Sequence, residues 1–116
     1  MMIGYLNGKV LSKNFETSSC TLLCGQVGYE ILVPSPKLET FETGTEIGFW
    51  IHTHVREDTL TLYGFQIETE KFFFRLLLSV SGLGPKTALS LISHHGSETL
   101  TRLLIRKDSD GLSQAP

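Results

Sequence analysis

Few of the features that mark disulfide-rich, membrane or secreted proteins occur in this sequence. Its 116 residues include two cysteines, Cys20 and Cys24, which are too few for a disulfide scaffold, so we expect free thiols. No run approaches about 18 apolar residues, and the N-terminus has no basic region followed by an apolar segment. Neither a membrane span nor a secretory signal is therefore indicated, and we expect a cytoplasmic protein with no membrane partner.

The sequence also contains few positively charged residues. The formal net charge is −2 and the isoelectric point lies near 6.0, whereas a nucleic-acid-binding domain is usually basic. Residues 1–64 hold four Lys or Arg against seven Asp or Glu, a net charge of −3, and residues 65–116 hold six against five, a net charge of +1. A site for a polyanion is therefore expected in the second half.

Motifs for several kinds of catalysis are missing from the sequence. It has no Walker motif, no nucleophile elbow and no pair of catalytic carboxylates in a suitable cleft. Cys20 and Cys24 lack a second cysteine pair, and His52 and His54 are remote from them in sequence, which argues against a metal site. We expect no metal and no cofactor, and any ATP hydrolysis must come from a partner.

The first 65 residues alternate between apolar and polar positions in short stretches punctuated by glycine, the pattern of strands half-buried against a core. Pro34 and Pro36 end the third strand. The predicted strands are residues 3–11, 18–24, 27–33, 47–55 and 59–65. In the fourth, one face carries Ile47, Phe49, Ile51, Thr53 and Val55, and the other carries Trp50, His52 and His54. Five closely spaced strands predict a small closed or partly closed β-barrel, such as an OB-fold.

After Phe65 the apolar period lengthens to about 3.6 residues, which predicts helices. Thr69 is the expected cap of the first helix, and two of the three phenylalanines at 72–74 are expected in the core rather than as a base-stacking platform. The predicted stripe is Phe72, Phe73, Leu76, Leu77 and Val80. The second helix begins at Pro85 and ends near Ser93. Gly96 is the expected C-terminal stop of this helix, and Ser97 is expected to cap a third helix. The third helix would turn Leu100, Leu103 and Leu104 inward. A short fourth helix is expected from Asp108 to Ser113.

The turn between the first two helices carries the strongest chemical signal. A helix, the sequence Gly82-Leu83-Gly84 and a second helix starting at Pro85 form a helix-hairpin-helix pattern. Two glycines let the backbone approach a phosphate closely, and the helix start adds free N–H groups and a positive dipole end beside Lys86. Such a turn contacts the sugar-phosphate backbone and reads no bases. The alternative is a tight corner between helices, in which the glycines only solve a packing problem.

Several motifs in one order closely resemble the RuvA family of bacterial Holliday-junction-binding proteins. They are residues 2–8 (MIGYLNG), 25–31 (GQVGYEI), 54–58 (HVRED), 62–65 (LYGF) and 80–86 (VSGLGPK). The resemblance covers nearly the whole chain. It implies an OB-fold barrel at 1–65 that assembles as a homotetramer, with an octamer on DNA as a further state, and a helical domain at 66–116. It also implies that the chain stops before a second hairpin and before the domain that engages the RuvB motor.

The function implied by the resemblance is binding of four-way DNA junctions, which are held open and planar for branch migration in homologous recombination, DNA repair and the SOS response to DNA damage. The chain would be a non-motor subunit of an ATP-dependent helicase complex, with RuvB as ATPase partner and RuvC resolvase as a further partner. The implied DNA-binding residues are Gly82, Leu83, Gly84, Pro85, Lys86 and Thr87.

The same resemblance gives a role to the charged triplet between the fourth and fifth strands. Glu57 and Asp58, flanked by Arg56, would form an acidic pin at the centre of the tetramer that repels phosphates and keeps the DNA arms apart. From composition alone, the triplet is a solvated charged turn. Two other functions stay open at this stage: a structural or protein-interaction OB module without junction specificity, and a hydrolytic nuclease that would cleave DNA with a metal ion.

Overall fold

The computed structural model describes residues 2–80 and 82–94, which form a closed β-barrel followed by two helices. The strands are β1 (Tyr5–Asn14), β2 (Ser19–Cys24), β3 (Val27–Leu32), β4 (Glu46–Val55) and β5 (Leu60–Phe65). The helices are α1 (Ser35–Leu38), α2 (Glu68–Val80) and α3 (Pro85–His94). No helix within the described ranges has the length and apolar character needed to cross a membrane.

The barrel closes in the order β1-β2-β3-β5-β4, which confirms the predicted five-stranded, OB-like architecture. All neighbouring strands are antiparallel except β3 and β5, which pair in parallel through Ile31 with Leu62 and Leu32 with Tyr63. β1 pairs with both β2 and β4, and its register on β2 shifts between Val10 and Ser12. A bulge of this kind bends a strand, which lets one strand serve two neighbours around a small barrel.

Two details at the strand ends differ from the sequence prediction. The first strand begins at Tyr5 instead of residue 3 and continues to Asn14 instead of ending near residue 11, because the residues after the bulge stay paired with β2. The third strand ends at Leu32, before the prolines as expected, but Pro34 and Pro36 also begin the short helix α1, which the sequence prediction missed. Proline has the backbone angle of a first helical turn, so it can start a helix as well as stop a strand.

The barrel core is built from alternate residues of the strands, as the pattern in β4 predicted. Phe49, Ile51 and Thr53 are buried, whereas Val55 of the same predicted face is exposed, because it lies at the end of β4 beside the charged turn. Buried Thr53 is satisfied by the backbone of Ile3: its hydroxyl donates to the Ile3 carbonyl (2.7 Å) and accepts from the Ile3 N–H (2.9 Å). The polar side chain therefore tethers the N-terminal segment to the barrel.

A second core joins the helices to the outside of the barrel. Phe73, Phe74 and Leu77 of α2 are buried, which confirms that two of the three consecutive phenylalanines lie in the core. Phe72 and Val80 are 58% and 44% exposed, so the predicted stripe was wrong at these two positions. Ala88, Leu89 and Ile92 of α3 belong to the same cluster, together with Tyr63 and Phe65 of β5.

The boundaries of α3 agree with the sequence prediction, whereas the start of α2 differs from it. α3 begins at Pro85 and continues to His94, as expected. α2 begins at Glu68, so Thr69 lies inside the first turn and does not cap it. The predictions for Gly96, Ser97, the third helix with Leu100, Leu103 and Leu104, and the segment 108–113 fall outside the described residues.

Candidate nucleic-acid interface

The turn between α2 and α3 lies at the surface. Gly82, Gly84, Lys86 and Thr87 are exposed, and Leu83 is half-buried against the second core. Leu83 therefore acts as an apolar anchor that fixes the turn while its neighbours face outward. A turn of this form satisfies the first requirement of the predicted contact, because a ligand can reach its backbone.

The two glycines of the turn differ in whether the backbone conformation requires glycine at that position. Gly82 has a φ of +66°, in the left-handed region where a residue with a side chain is strained. Gly84 lies outside that region, and a Cβ placed on it would meet no atom of the described residues within 4 Å. The tight-corner explanation therefore accounts for Gly82 but not for Gly84, where the fold itself does not require glycine.

The start of α3 leaves its first amide groups available. Ala88 N–H donates to the Gly84 carbonyl (3.0 Å), which is the first hydrogen bond of the helix. Pro85 has no N–H, and the amides of Lys86 and Thr87 precede the first residue that has an acceptor within the helix. These two N–H groups, the positive end of the helix dipole and the Lys86 ammonium are favourable for an anion.

A groove of roughly 360 Å³ separates the start of α3 from the outer face of β4 and β5. One wall consists of Gly84, Pro85, Lys86 and Thr87. The opposite wall consists of His54, Arg56, Thr59, Thr61 and Tyr63. Residues separated by about 30 positions in sequence, the hairpin and the end of β4, therefore border one surface channel.

The charged triplet Arg56-Glu57-Asp58 is exposed, and its arginine lies in a different place from its two carboxylates. Arg56 lines the groove, and its Nε donates to Nε2 of His54 at 3.1 Å. Glu57 and Asp58 lie at the tip of the turn and are not among the groove residues. The Arg56 N–H donates to the Thr59 carbonyl (2.9 Å), which closes this turn. The structure therefore places the cation toward the hairpin and the two carboxylates beyond it.

The outer face of β4 carries two neighbouring histidines, His52 and His54. The ring of His52 lies 5.3 Å from that of Phe74 and 6.1 Å from that of His54. Burial lowers the pKa of His52, and the positive charges of Arg75, His54 and Lys71 lower it further. The neutral form of the His52 ring is therefore favoured on this face. The alternation in β4 correctly put His52 and His54 on one outer face, but no sequence signal placed that face opposite the hairpin.

The cysteines lie apart from this groove. Cys20 is buried in the barrel core, Cys24 is half-buried, and both thiols are free. Burial raises the pKa of Cys20 to about 11, so its metal-binding thiolate form is disfavoured. Within residues 2–80 and 82–94, no group of three His, Cys, Asp or Glu side chains is arranged to hold a metal ion.

Two protein families match the two parts of the chain. The family described as RuvA N terminal domain matches residues 2–64, and the family described as SAM-like helix-hairpin-helix tandem matches residues 74–116. The second match includes the hairpin at the groove.

Curated relatives have the same name in several bacteria. Proteins named Holliday junction branch migration complex subunit RuvA are 42% identical in Syntrophotalea carbinolica, 44% in Thermus thermophilus and 37% in Solidesulfovibrio magneticus. These matches cover 98–99% of this chain but 57–59% of the relatives, so the chain spans less than two thirds of their length. Since the RuvA N-terminal domain matches more than half of its residues, the chain belongs to the RuvA family.

Proposed function

We propose that this chain binds four-way DNA junctions through backbone contacts at the turn between α2 and α3. The observation that carries the proposal is Gly84: it is exposed, and neither its φ nor its packing requires glycine. Gly84 is also the N-cap of α3, where glycine is one of several favoured residues, and we assign its lack of a side chain to close approach of a ligand. The relatives named Holliday junction branch migration complex subunit RuvA indicate which ligand.

The proposed contact is electrostatic and independent of sequence. The amides of Lys86 and Thr87 donate to phosphate oxygens, and the Lys86 ammonium adds a full positive charge. The proposed contact set is Gly82, Leu83, Gly84, Pro85, Lys86 and Thr87, with Leu83 acting as the anchor of the turn. Because phosphate contacts release counterions, the affinity falls as the salt concentration rises.

We assign junction specificity to the carboxylates of Glu57 and Asp58. Both are exposed at the tip of the turn after β4, so they can repel phosphates without disturbing the fold. In a homotetramer, with residues 1–65 as the assembling barrel and 66–116 as the DNA-holding part, four such turns would surround one centre and keep the strands apart there. Four hairpins on one assembly would also bind far more tightly than one, because each later contact is intramolecular.

The motor activity of the complex belongs to a partner in this proposal. The sequence has no Walker motif, so we assign ATP hydrolysis to RuvB as the motor partner; the longer relatives are named as subunits of a branch migration complex. An octamer on DNA and cooperation with RuvC resolvase are part of the same proposal, as is a place in recombination and repair in the cytoplasm.

The test compares a four-way junction with a linear duplex of the same length in gel-shift assays over a range of salt concentrations. We expect tighter binding of the junction and a loss of affinity with salt. Equal or absent binding would favour a protein-interaction barrel instead. Incubation of the junction with Mg²⁺ should leave it intact, and cleavage would indicate a nuclease.

Glycine variants test the contact residues directly. Gly84→Ala should leave the melting temperature unchanged, because the new methyl group meets open space, and should weaken junction binding because it blocks close approach of a phosphate. Gly25→Ala and Gly82→Ala form a matched pair, since both glycines have φ near +65° and open surroundings. Both should cost about 1–2 kcal/mol of stability, but only Gly82→Ala should reduce binding.

Reversal of Glu57 and Asp58 to lysine tests the carboxylates. Because repulsion at the crossing point is lost, we expect tighter or misdirected junction binding with unchanged stability. Unchanged binding of the junction, together with unchanged branch migration when RuvB and the longer protein are used, would refute the proposed role.

A further inference from the structure

We propose that Arg56, held in position by His54, forms a second phosphate-binding wall across the groove from the hairpin. This inference rests on the proposed binding of DNA and adds a contact that the hairpin does not provide. Its ligand is the same sugar-phosphate strand, gripped from the side of the barrel. It also separates Arg56 in function from the two carboxylates that follow it.

The orientation of the Arg56 side chain is the first observation. Its Nε donates to His54 Nε2 at 3.1 Å and not to the adjacent carboxylates of Glu57 or Asp58. A guanidinium has five N–H donors. Nε is used within the protein, and the terminal nitrogens make no hydrogen bond to any described residue, so both can bind two oxygens of one phosphate in the bidentate geometry that arginine favours.

The groove itself is the second observation. Arg56 and Lys86 lie on opposite walls of the same channel of roughly 360 Å³, and the described residues that line it include no Asp or Glu. A strand that approaches the amides of Lys86 and Thr87 is therefore faced by a cation on the barrel side. Hydroxyl groups of Thr59 and Thr61 border the same wall and can accept or donate hydrogen bonds without adding charge.

His54 is suited to position the guanidinium because its own ring is packed. It is paired with Thr61 across the β4–β5 ladder, and its ring lies 6.4 Å from that of Tyr63 in an edge-on arrangement and 6.1 Å from that of His52. A side chain fixed in this way limits the rotamers of Arg56 and so reduces the entropy lost on binding. His54 is thus a positioning residue that acts through Arg56.

The main test is Arg56→Gln in the whole chain, with Arg75→Gln as the matched control. Arg75 is also exposed, but it lies on α2 outside the groove. We expect Arg56→Gln to weaken binding of a linear duplex about 10-fold and to reduce the slope of log K against log salt by about one phosphate contact. Arg75→Gln should change the affinity less than about 2-fold.

Two further variants keep the test valid if Arg56→Gln lowers stability. Arg56→Lys retains the charge but not the bidentate fork, so the salt slope should stay while the affinity falls. His54→Ala should weaken binding by itself but have little further effect in the Arg56→Gln background. His54→Gln should restore binding, because its amide oxygen can accept the hydrogen bond from Arg56 Nε. A purely structural role of His54 would instead make the two losses add.

The outcomes separate this inference from the proposed function. If the unaltered chain shows no binding to duplex or junction, both fail. If it binds with a junction preference but Arg56→Gln has the same affinity and salt slope, the inference is overturned and the proposed function stands. An equal loss in Arg75→Gln would also overturn it, because total charge and not the groove would then control binding.

Discussion

The docking of α2 on the barrel depends on the ring of Phe74, and its removal gives the sharpest test of the fold. Phe74 is fully buried, and its ring centre lies 5.1 Å from those of Tyr63 and Phe65 and 5.3 Å from that of His52. Phe→Ala in a core costs about 3–5 kcal/mol, from lost burial plus the cavity that remains. Since Phe74 contacts three rings of the barrel, we expect Phe74→Ala to cost about 4 kcal/mol.

The matched control is Phe72→Ala, which removes the same side chain two positions earlier in the same helix. Phe72 is 58% exposed, so its removal should cost about 0.5 kcal/mol, as surface changes usually do. Urea unfolding followed by circular dichroism measures both free energies of unfolding. A 4 kcal/mol loss is a large part of the stability of a typical domain, which is about 5–15 kcal/mol.

The functional consequence of Phe74→Ala follows from the groove. α2 leads into the hairpin, so a loosened helix no longer holds Lys86 opposite Arg56, and DNA affinity should fall even at temperatures where the barrel stays folded. Equal destabilisation by Phe72→Ala and Phe74→Ala would refute this account of the second core. A loss below about 1.5 kcal/mol for Phe74→Ala would refute it too, because it would mean that the ring is not enclosed.

Three smaller predictions concern the barrel and its titrating groups. Gly64→Ala should cost about 1–3 kcal/mol in urea unfolding, since its Cβ would overlap the side chain of Ile31. The pKa of His52 is lowered, mainly by burial. The unfolded chain therefore binds this proton at a higher pH than the folded chain does, so the free energy of unfolding falls as the pH drops below about 6.5. NMR titration should show that Arg75→Gln raises this pKa only in part. Burial raises the pKa of Cys20 to about 11, so stability should fall as the pH rises from about 9 to 11, and Cys20→Ala should remove that part of the dependence.

Each of these has an outcome that would contradict it. An unchanged midpoint for Gly64→Ala would mean that the barrel core has room for a methyl group. A complete return of the His52 pKa to its ordinary range in Arg75→Gln would mean that charge and not burial is the main cause. An alkaline dependence that persists in Cys20→Ala would assign it to Cys24 or Tyr63, whose pKa values burial also raises.

The barrel could be predicted from the sequence because the alternation of inward and outward residues can be recognised within each single strand. Alternation along β4 places Phe49 and Ile51 inside and His52 and His54 outside without knowledge of any other strand. The α2 stripe was harder, because Phe72 and Phe74 both fit a period of about 3.6 residues. Contact with Tyr63 and Phe65 selects Phe74, and that contact is a tertiary feature.

The groove could not be predicted for the same reason. The hairpin was recognised from its glycines and Pro85, and the turn after β4 from its charges, but each was an isolated motif. Their common channel arises only once α2 packs on β5 and carries the start of α3 back toward Arg56. Periodicity predicts which residues share one face of a helix or strand. The distance between the faces of two elements depends on how all the elements between them pack.

The parallel pairing of β3 with β5 has a consequence for how the chain folds. Two residue pairs, Ile31 with Leu62 and Leu32 with Tyr63, form this last join, and each spans 31 positions of sequence. The first 60 residues can therefore form hairpins but cannot complete a barrel, and ring closure must wait for β5. This join has two residue pairs, whereas every other ladder of the barrel has five or six, so it should be the last part to gain protection from amide exchange during refolding. The side chain of Tyr63 connects that late step to the surface where DNA is proposed to lie.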